Sequence, residues 1–355
     1  MRINSVEATI KGGIFFRKVA FFLSLVAILH GFKCFGLTED KLSSDWRAVY
    51  ETWPKTHCSW SSFVSESGKK TGFVRCGQGT RPVVLLPGYS EPAVKYLETV
   101  FDLSQARPDL GPIYVMELPG QGTSDRLGDS PFQVHVDKDT RYTDDFQKFI
   151  DAEVVQTGAA KPIIISHSTG GMVALAAAAR KTDQFDRIVA LSPLIRPNLP
   201  LPVWAVRIIS SLYVKFGFNE TPVWGQASKP VEDQIFERNN STSSKTRWTI
   251  SHTLLVENPK IFTHGISWAW LKSVISEGDY VWDAREKIKI PILMIKPEKD
   301  FFVNGEQADY FCKSLATCEI KTIAGDKHET LQLADYPRDQ TLTWISQFIP
   351  LPAAK

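Results

Sequence analysis

The residues best suited to chemistry lie in a short turn around Ser168. Three isoleucines at 163–165 lead into Ser-His-Ser-Thr-Gly-Gly at 166–171, and an alanine-rich stretch follows at 172–179. β-branched residues favour a buried strand and alanine favours a helix, so this order predicts strand, sharp turn and helix. Such a turn exposes a serine hydroxyl at the sheet edge, beside helix N–H groups that can stabilise an oxyanion. Ser168 is therefore a candidate nucleophile, and an ordinary strand–helix turn is the alternative.

A serine hydroxyl needs a base that removes its proton, usually a histidine held by a carboxylate. In the expected chain order the acid follows the serine, and the histidine follows the acid. Of the seven histidines, His328 fits best, because it follows the last predicted strand after a glycine-containing loop. His167 adjoins the nucleophile but is expected to point away and pack. The acid is expected after the strand at 291–295, where Glu298 and Asp300 both stand.

Acyl transfer also needs two N–H groups aimed at the oxygen of the tetrahedral intermediate. We expect one from Thr169, directly after the candidate nucleophile. The other is expected from Tyr89, in the loop that ends the apolar strand at 82–86. Gly88 lets the backbone approach closely there, because glycine has no β-carbon. The alternative for Pro87 and Gly88 is a plain turn.

These residues need a sheet that brings their strand ends together. Apolar runs alternate with helical patterns from about residue 57 to residue 195, which predicts a parallel sheet covered on both faces. The sheet pattern resumes after residue 285. We therefore expect an α/β core formed by residues 37–194 and 286–355. The strand-like runs are 82–86, 113–116, 163–165, 187–191, 288–295 and 319–323.

The alternation stops between residues 195 and 285. This stretch holds six of the ten tryptophans and a polar segment at 237–244. The simplest account is a helical cap, residues 195–285, inserted above the sheet. Core packing explains any single tryptophan, whereas six together also suit a wall for an apolar acyl chain or a surface that contacts lipid. Trp268 and Trp270 are the candidates for substrate binding.

Composition is that of a globular protein, with 43% hydrophobic and 23% charged residues and a net charge of +2. Residues 1–36 carry five basic residues and one acidic residue, so the rest of the chain has a net charge of −2. A nucleic-acid-binding role has no basic surface to support it. No metal-ligand spacing is present, and serine chemistry requires no cofactor.

Residues 1–36 have the pattern of a signal peptide. A basic pair at 17–18 precedes 11 mostly apolar residues at 19–29, and small residues stand before Leu37. This run is short for a bilayer core of about 30 Å. A retained N-terminal anchor is the alternative, because residues 30–35 extend the apolar stretch. The expected destination is the periplasm or the medium.

The four cysteines that follow residues 1–36 form two local pairs in the sequence, which suits an oxidising compartment. Cys58 and Cys76 flank a predicted hairpin, whereas Cys312 and Cys318 lie near a helix end. Free buried thiols are the alternative, and the spacing leaves the connectivity open.

The chain resembles the α/β-hydrolase superfamily in the Ser168 turn, in residues 87–89 and 120–124, and in His328 with Glu329. Within it, the chain resembles the bacterial lysophospholipase and monoacylglycerol lipase group, from about residue 50 to the C-terminus. That finer resemblance is carried by segments 91–96, 120–126 and 258–271. Two residues depart from the pattern. They are Ser166, where glycine or alanine is usual, and Pro87, where histidine or asparagine often precedes the glycine.

The resemblance implies an eight-stranded, mostly parallel sheet with helices on both faces and a helical cap. It favours Asp300 over Glu298, because residues 301–303 are similar to the apolar residues that bury this acid in related enzymes. Ser168 would then attack an ester carbonyl, with His328 as the base.

The substrate implied is a single-chain lipid ester, such as a lysophospholipid or a monoacylglycerol. Three alternatives are a secreted carboxylesterase for short soluble esters, a lysophospholipid acyltransferase, and a hydrolase-fold binding protein without activity.

Overall fold

The computed structural model describes residues 36–155 and 160–352. The predicted signal peptide or anchor, residues 1–36, lies outside the described residues except for Gly36. Within the two described ranges, no helix combines the length and the apolar character needed to cross a membrane.

Within the described residues, eight strands form one sheet in the order β1-β2-β4-β3-β5-β6-β7-β8. Strands β1 and β2 run antiparallel to their neighbours, whereas the pairs from β4 to β8 are parallel. The central strands are buried along their length, so they appear in the sequence as continuous apolar runs. This sheet confirms the predicted fold class. The strands are β1 Cys58–Val64, β2 Lys70–Arg81, β3 Val83–Leu86, β4 Gly111–Met116, β5 Ile163–His167, β6 Arg187–Leu191, β7 Ile292–Pro297 and β8 Cys318–Ile323.

The α-helices of the described chain precede the sheet, connect its strands or, in the case of α10, follow its last strand. Helix α5 follows Ser168, and its small side chains are buried from Thr169 to Ala179. Three α-helices of the described chain, α6 to α8, lie between β6 and β7, in the stretch predicted as a cap. Helix α8 packs against both α5 and α6. The division at 195 and 285 stays a prediction. The helices are α1 Glu39–Arg47, α2 Trp53–His57, α3 Leu97–Ala106, α4 Arg141–Phe149, α5 Thr169–Arg180, α6 Val203–Lys215, α7 Lys245–Glu257, α8 Trp268–Asp283, α9 Gly305–Lys313 and α10 Asp335–Phe348.

In the described residues, one disulfide lies at each edge of the sheet. Cys58 and Cys76 face each other in the register of β1 and β2, and their sulfurs are bonded. Cys312, near the end of α9, is bonded to Cys318, the first residue of β8. Of the two alternatives left open by the spacing, the structure therefore has the local disulfides rather than free thiols.

Candidate active site

The predicted site residues come together because parallel strands point their carboxyl ends to one edge of the sheet. The loops after β3, β5, β7 and β8 carry Tyr89, Ser168, Asp300 and His328, respectively. This edge is where open α/β sheets bind their ligands. The topology thus brings four chain segments to one edge of the sheet.

Ser168 occupies a sharp turn between β5 and α5. Its backbone has φ 49° and ψ −114°, in the region of positive φ where a residue with a side chain is strained by about 1–3 kcal/mol. Neighbouring backbone holds this turn: the Ser168 amide donates to the carbonyl of Leu191, and its carbonyl accepts from Leu194, both at 2.9 Å. Ser166 fits where glycine is usual, because its hydroxyl donates to the carbonyl of Val189 at 3.1 Å.

Two glycines allow the loop after β3 to lie against this turn. A β-carbon on Gly170 would lie 2.5 Å from the carbonyl oxygens of Leu86 and Pro87, so α5 can approach β3 only with glycine there. A β-carbon on Gly88 would lie 3.1 Å from the Cβ of Ser168. The loop that carries Tyr89 therefore abuts the candidate nucleophile.

His328 is held by the acid that the sequence favoured. Its Nδ1 lies 2.7 Å from Oδ2 of Asp300, and both side chains are buried. Burial disfavours the carboxylate, but His328 and the amides of Phe302 and Val303 outweigh it and lower the pKa of Asp300 below its usual value. The side chain of Glu298 instead accepts a hydrogen bond from the amide of Gly325 at 2.9 Å. The structure thus brings together Asp300, and not Glu298, with His328.

The two predicted oxyanion donors flank Ser168. Thr169 is the first residue of α5, and the N–H groups of a first helical turn have no partner within the helix. In the other loop, the amide of Gly88 donates to Oε2 of Glu91 at 2.5 Å. Because the amide of Gly88 is hydrogen-bonded within the loop, the amide of Tyr89 is the loop's candidate donor to an oxyanion.

The candidate substrate-binding tryptophans lie in different surroundings. Trp270 is 6% exposed, its ring centroid lies 5.3 Å from that of Tyr89, and its indole N–H donates to the hydroxyl of Tyr142. Trp270 therefore backs the loop beside Ser168. Trp268 is 2% exposed and stacks on Tyr213 at 4.3 Å, so it packs among cap-region aromatics.

Sequence reasoning missed a second carboxylate–imidazole pair at this edge. The Nδ1 of His167 lies 2.7 Å from Oε2 of Glu91, and its Nε2 lies 3.4 Å from the carbonyl oxygen of His328. His167 is buried, as expected, but it is bonded at both ring nitrogens rather than merely packed. Glu91 belongs to a loop without periodicity, so no pattern in the sequence marked it as a partner.

Fold and site together define a class. A mostly parallel eight-stranded sheet, a serine at positive φ before a buried helix, and an acid–histidine pair at the same edge are the features of an α/β-hydrolase.

Comparison with protein families agrees with this class. The Hydrolase_4 family model, described as serine aminopeptidase S33, matches residues 78–333, and the chain belongs to this α/β-hydrolase family. The chain is 26% identical over 256 residues to lysophospholipase L2 of Escherichia coli K12, covering 69% of each protein. It is 24% identical over 267 residues to the probable lysophospholipase L2 of Haemophilus influenzae, covering 75% of this chain and 83% of that protein.

Solved structures share the fold at lower identity. A soluble variant of monoglyceride lipase from Saccharomyces cerevisiae superposes with a TM-score of 0.62 at 17% identity, covering 82% of this chain and 94% of that chain. A thermostable carboxyl esterase from Bacillus coagulans has a TM-score of 0.67 at 15% identity, covering 82% and 98%.

Proposed function

We propose that the protein is a serine hydrolase that cleaves the carboxylic ester of a single-chain lipid through an acyl-enzyme on Ser168. The observation that carries this proposal is Ser168, held at positive φ at the sheet edge that also carries the buried Asp300–His328 pair. The names of the relatives, lysophospholipase L2 and monoglyceride lipase, support the lipid ester as the substrate class.

In the proposed reaction, Nε2 of His328 takes the proton of the Ser168 hydroxyl while the oxygen attacks the ester carbonyl. Asp300 accepts from Nδ1 of His328, which fixes the tautomer and stabilises the imidazolium. The amides of Thr169 and Tyr89 donate to the carbonyl oxygen as it becomes an oxyanion. The imidazolium protonates the leaving alcohol, and water, deprotonated by the same histidine, then releases the fatty acid.

Helix α6 supports a contact with lipid aggregates. Trp204, Ile208 and Leu212 follow one another at intervals of four residues, which places them on one helix face, and they are 65%, 53% and 46% exposed. Phe216 and Trp224, 67% and 62% exposed, extend this apolar character beyond the helix. An exposed Trp, Phe and Leu surface of this kind suits the interface of a membrane or micelle.

This surface is connected to the candidate site. Pro197, before α6, forms a β-bridge with Val303, and the side-chain amide of Asn198 donates to the carbonyl oxygens of Asp300 and Val303. These contacts join the segment that leads into α6 to the loop of Asp300. In that loop Phe301 is 64% exposed. We propose that a single-chain ester enters from a lipid surface on this side of the protein.

We also propose that the protein is exported, as the pattern of residues 1–36 predicts. Disulfides such as Cys58–Cys76 and Cys312–Cys318 persist in oxidising compartments and are rare in the cytosol, which supports a periplasmic or secreted protein. Fractionation of cells that express the full chain, with N-terminal sequencing of the product, tests this. Recovery of a cytosolic protein that starts at Met1 would contradict export.

The substrate class is tested with a panel of esters. Purified protein is offered 1-acyl lysophospholipid, monoacylglycerol and p-nitrophenyl esters of two to sixteen carbons, beside Ser168→Ala. We expect kcat/KM to be highest for the single-chain lipids. We expect Ser168→Ala to be inactive on every ester of the panel. A preference for the shortest soluble esters would support the carboxylesterase alternative. Acyl transfer to an added lysolipid at the expense of hydrolysis would support the acyltransferase.

A further inference from the structure

Glu91 receives hydrogen bonds from four directions in the buried layer behind Ser168. Its Oε2 accepts from the amide of Gly88, from Nδ1 of His167 and from the hydroxyl of Tyr96. Its Oε1 lies 2.7 Å from Nζ of Lys95. Glu91 is 5% exposed, so these donors, rather than water, satisfy the carboxylate. A buried charge with this many partners has to be held in one geometry.

The contacts of Glu91 reach the proposed oxyanion loop, the Ser168 turn and the loop of His328. Gly88 precedes Tyr89 in the proposed oxyanion loop. His167 precedes Ser168 and extends its other ring nitrogen to within 3.4 Å of the carbonyl oxygen of His328. The histidine rings of residues 167 and 328 have their centroids 4.8 Å apart.

A second route leads from Glu91 to the base loop. Nζ of Lys95 lies 2.7 Å from Oε1 of Glu329, the residue that follows His328. The hydroxyl of Ser192 donates to the carbonyl oxygen of His328 at 2.8 Å. The loop of His328 is therefore held through its carbonyl oxygen, which contacts His167 and Ser192, and through Glu329, which contacts Lys95.

We propose that Glu91 and His167 form a positioning pair that sets the oxyanion loop, the Ser168 turn and the base loop at their working distances. Neither side chain is proposed to touch the substrate. The inference rests on the proposed function, because it assigns these residues a role in the reaction of Ser168. In that role, Glu91 and His167 raise kcat by fixing geometry and leave substrate affinity nearly unchanged.

The contacts also indicate the charge that His167 carries. One ring nitrogen faces a carboxylate and the other faces a carbonyl oxygen, both of which only accept hydrogen bonds. The ring satisfies both by donating from both nitrogens, which is the imidazolium form. Burial opposes that charge, but Glu91 outweighs it and raises the pKa of His167 above its usual value. The pair is thus a buried ion pair, and removing one member leaves the other uncompensated.

The test separates positioning from general destabilisation. Glu91→Gln, His167→Phe and His167→Gln are compared with the parent on p-nitrophenyl butyrate, and kcat is expressed per site that a fluorophosphonate probe labels. His167→Phe keeps an aromatic ring but removes both donors, whereas His167→Gln keeps an N–H donor near the position of Nε2. Glu277→Gln is the control, since Glu277 is equally buried but pairs with Arg180 and Thr143.

We expect His167→Phe and Glu91→Gln to lower kcat roughly 10- to 100-fold, as small misplacements of reacting groups do, with KM changed less than about threefold. His167→Gln should recover part of the loss, and Glu277→Gln should keep the kcat of the parent. If His167→Phe does not fold, Glu91→Gln, which preserves size, decides the question. Values of kcat within about twofold of the parent in the folded variants would overturn the proposal.

The outcome also separates this inference from the proposed function. If the probe labels the parent and not Ser168→Ala, the serine chemistry stands, and a full kcat in Glu91→Gln then defeats the positioning pair alone. If Ser168→Ala hydrolyses the ester as fast as the parent, the proposed function itself fails.

Discussion

Nδ1 of His328 lies 2.7 Å from Oδ2 of Asp300, although the two residues are 28 positions apart in the chain. They leave the carboxyl ends of the neighbouring strands β7 and β8, so the parallel register of those strands brings them together. With Nδ1 engaged, the other nitrogen of the imidazole is the one available to a nucleophile. This contact makes the choice of acid testable.

Asp300→Asn should lower kcat by roughly 10³- to 10⁴-fold, because an amide does not hold the imidazole in the required tautomer or stabilise its positive charge. Steady-state hydrolysis of a p-nitrophenyl ester measures this. Glu298→Gln is the matched control, since the side chain of Glu298 accepts a hydrogen bond from the amide of Gly325 and not from His328. A larger loss in Glu298→Gln than in Asp300→Asn would mean that the acid is misassigned.

Gly170→Ala should destabilise the fold by about 1–3 kcal/mol, because its methyl group would overlap the carbonyl oxygens of Leu86 and Pro87. Urea unfolding measures the change, and activity should fall with it because the loop carrying Tyr89 is displaced. Gly305→Ala is the control, since a β-carbon there meets only the flexible end of Lys296 at 3.3 Å. Equal stability of the two variants would contradict the close approach of α5 to β3.

The ion pair of Glu91 and His167 should make stability depend on pH. The pKa of His167 is raised above 6.5, so its contribution is complete below that pH and is lost as pH rises through the raised value. Burial disfavours the Glu91 carboxylate, yet His167 and Lys95 lower its pKa well below 4.5. Its contribution is therefore present above pH 4.5 and lost on further acidification.

The parent should consequently exceed His167→Phe in free energy of unfolding by more at pH 5.5 than at pH 9. Each unit by which the pKa of His167 is raised adds about 1.4 kcal/mol to that difference. Lys95, Tyr96 and Glu329 also face the pair, so the same comparison in a Glu91→Gln background isolates the ionic part. A difference that is equal at both pH values would argue against a charged His167.

The exposed face of α6 should bind lipid. The double variant Trp204→Ser and Leu212→Ser of the chain from residue 37 should cosediment with phosphatidylcholine vesicles at least about tenfold less strongly than the parent, because burying each side chain contributes about 1.5–3 kcal/mol. Trp60→Ser, which removes an exposed tryptophan from β1, is the control. Similar binding of all three proteins would exclude α6 as the contact.

Much of the fold was predictable because it depends on local patterns. The apolar runs of β3, β5 and β6 and the alanine-rich helix after Ser168 predicted a parallel sheet and a sharp turn at the serine. The strand ends that share one edge placed Ser168, His328 and an acid after β7 near one another. Residue types and spacing left Glu298 and Asp300 open, and the family resemblance favoured Asp300.

Other features depend on three-dimensional packing that no local pattern contains. Glu91 and His167 are 76 residues apart, and their contact depends on how the loop after β3 folds over the end of β5. The tryptophans of 195–285 looked alike in the sequence, yet Trp204 is 65% exposed and Trp268 is 2% exposed. The faces that helices bury decide this difference.

The central claim is that Ser168 is a nucleophile activated by His328. Incubation of the parent, Ser168→Ala and His328→Ala with a fluorophosphonate probe, followed by intact mass and peptide mapping, tests it most directly. We predict one probe per parent chain, on Ser168, no labelling of Ser168→Ala, and labelling of His328→Ala slowed by at least about 10³-fold. Labelling of another residue, or a folded parent that stays unlabelled with and without lipid vesicles, would contradict it.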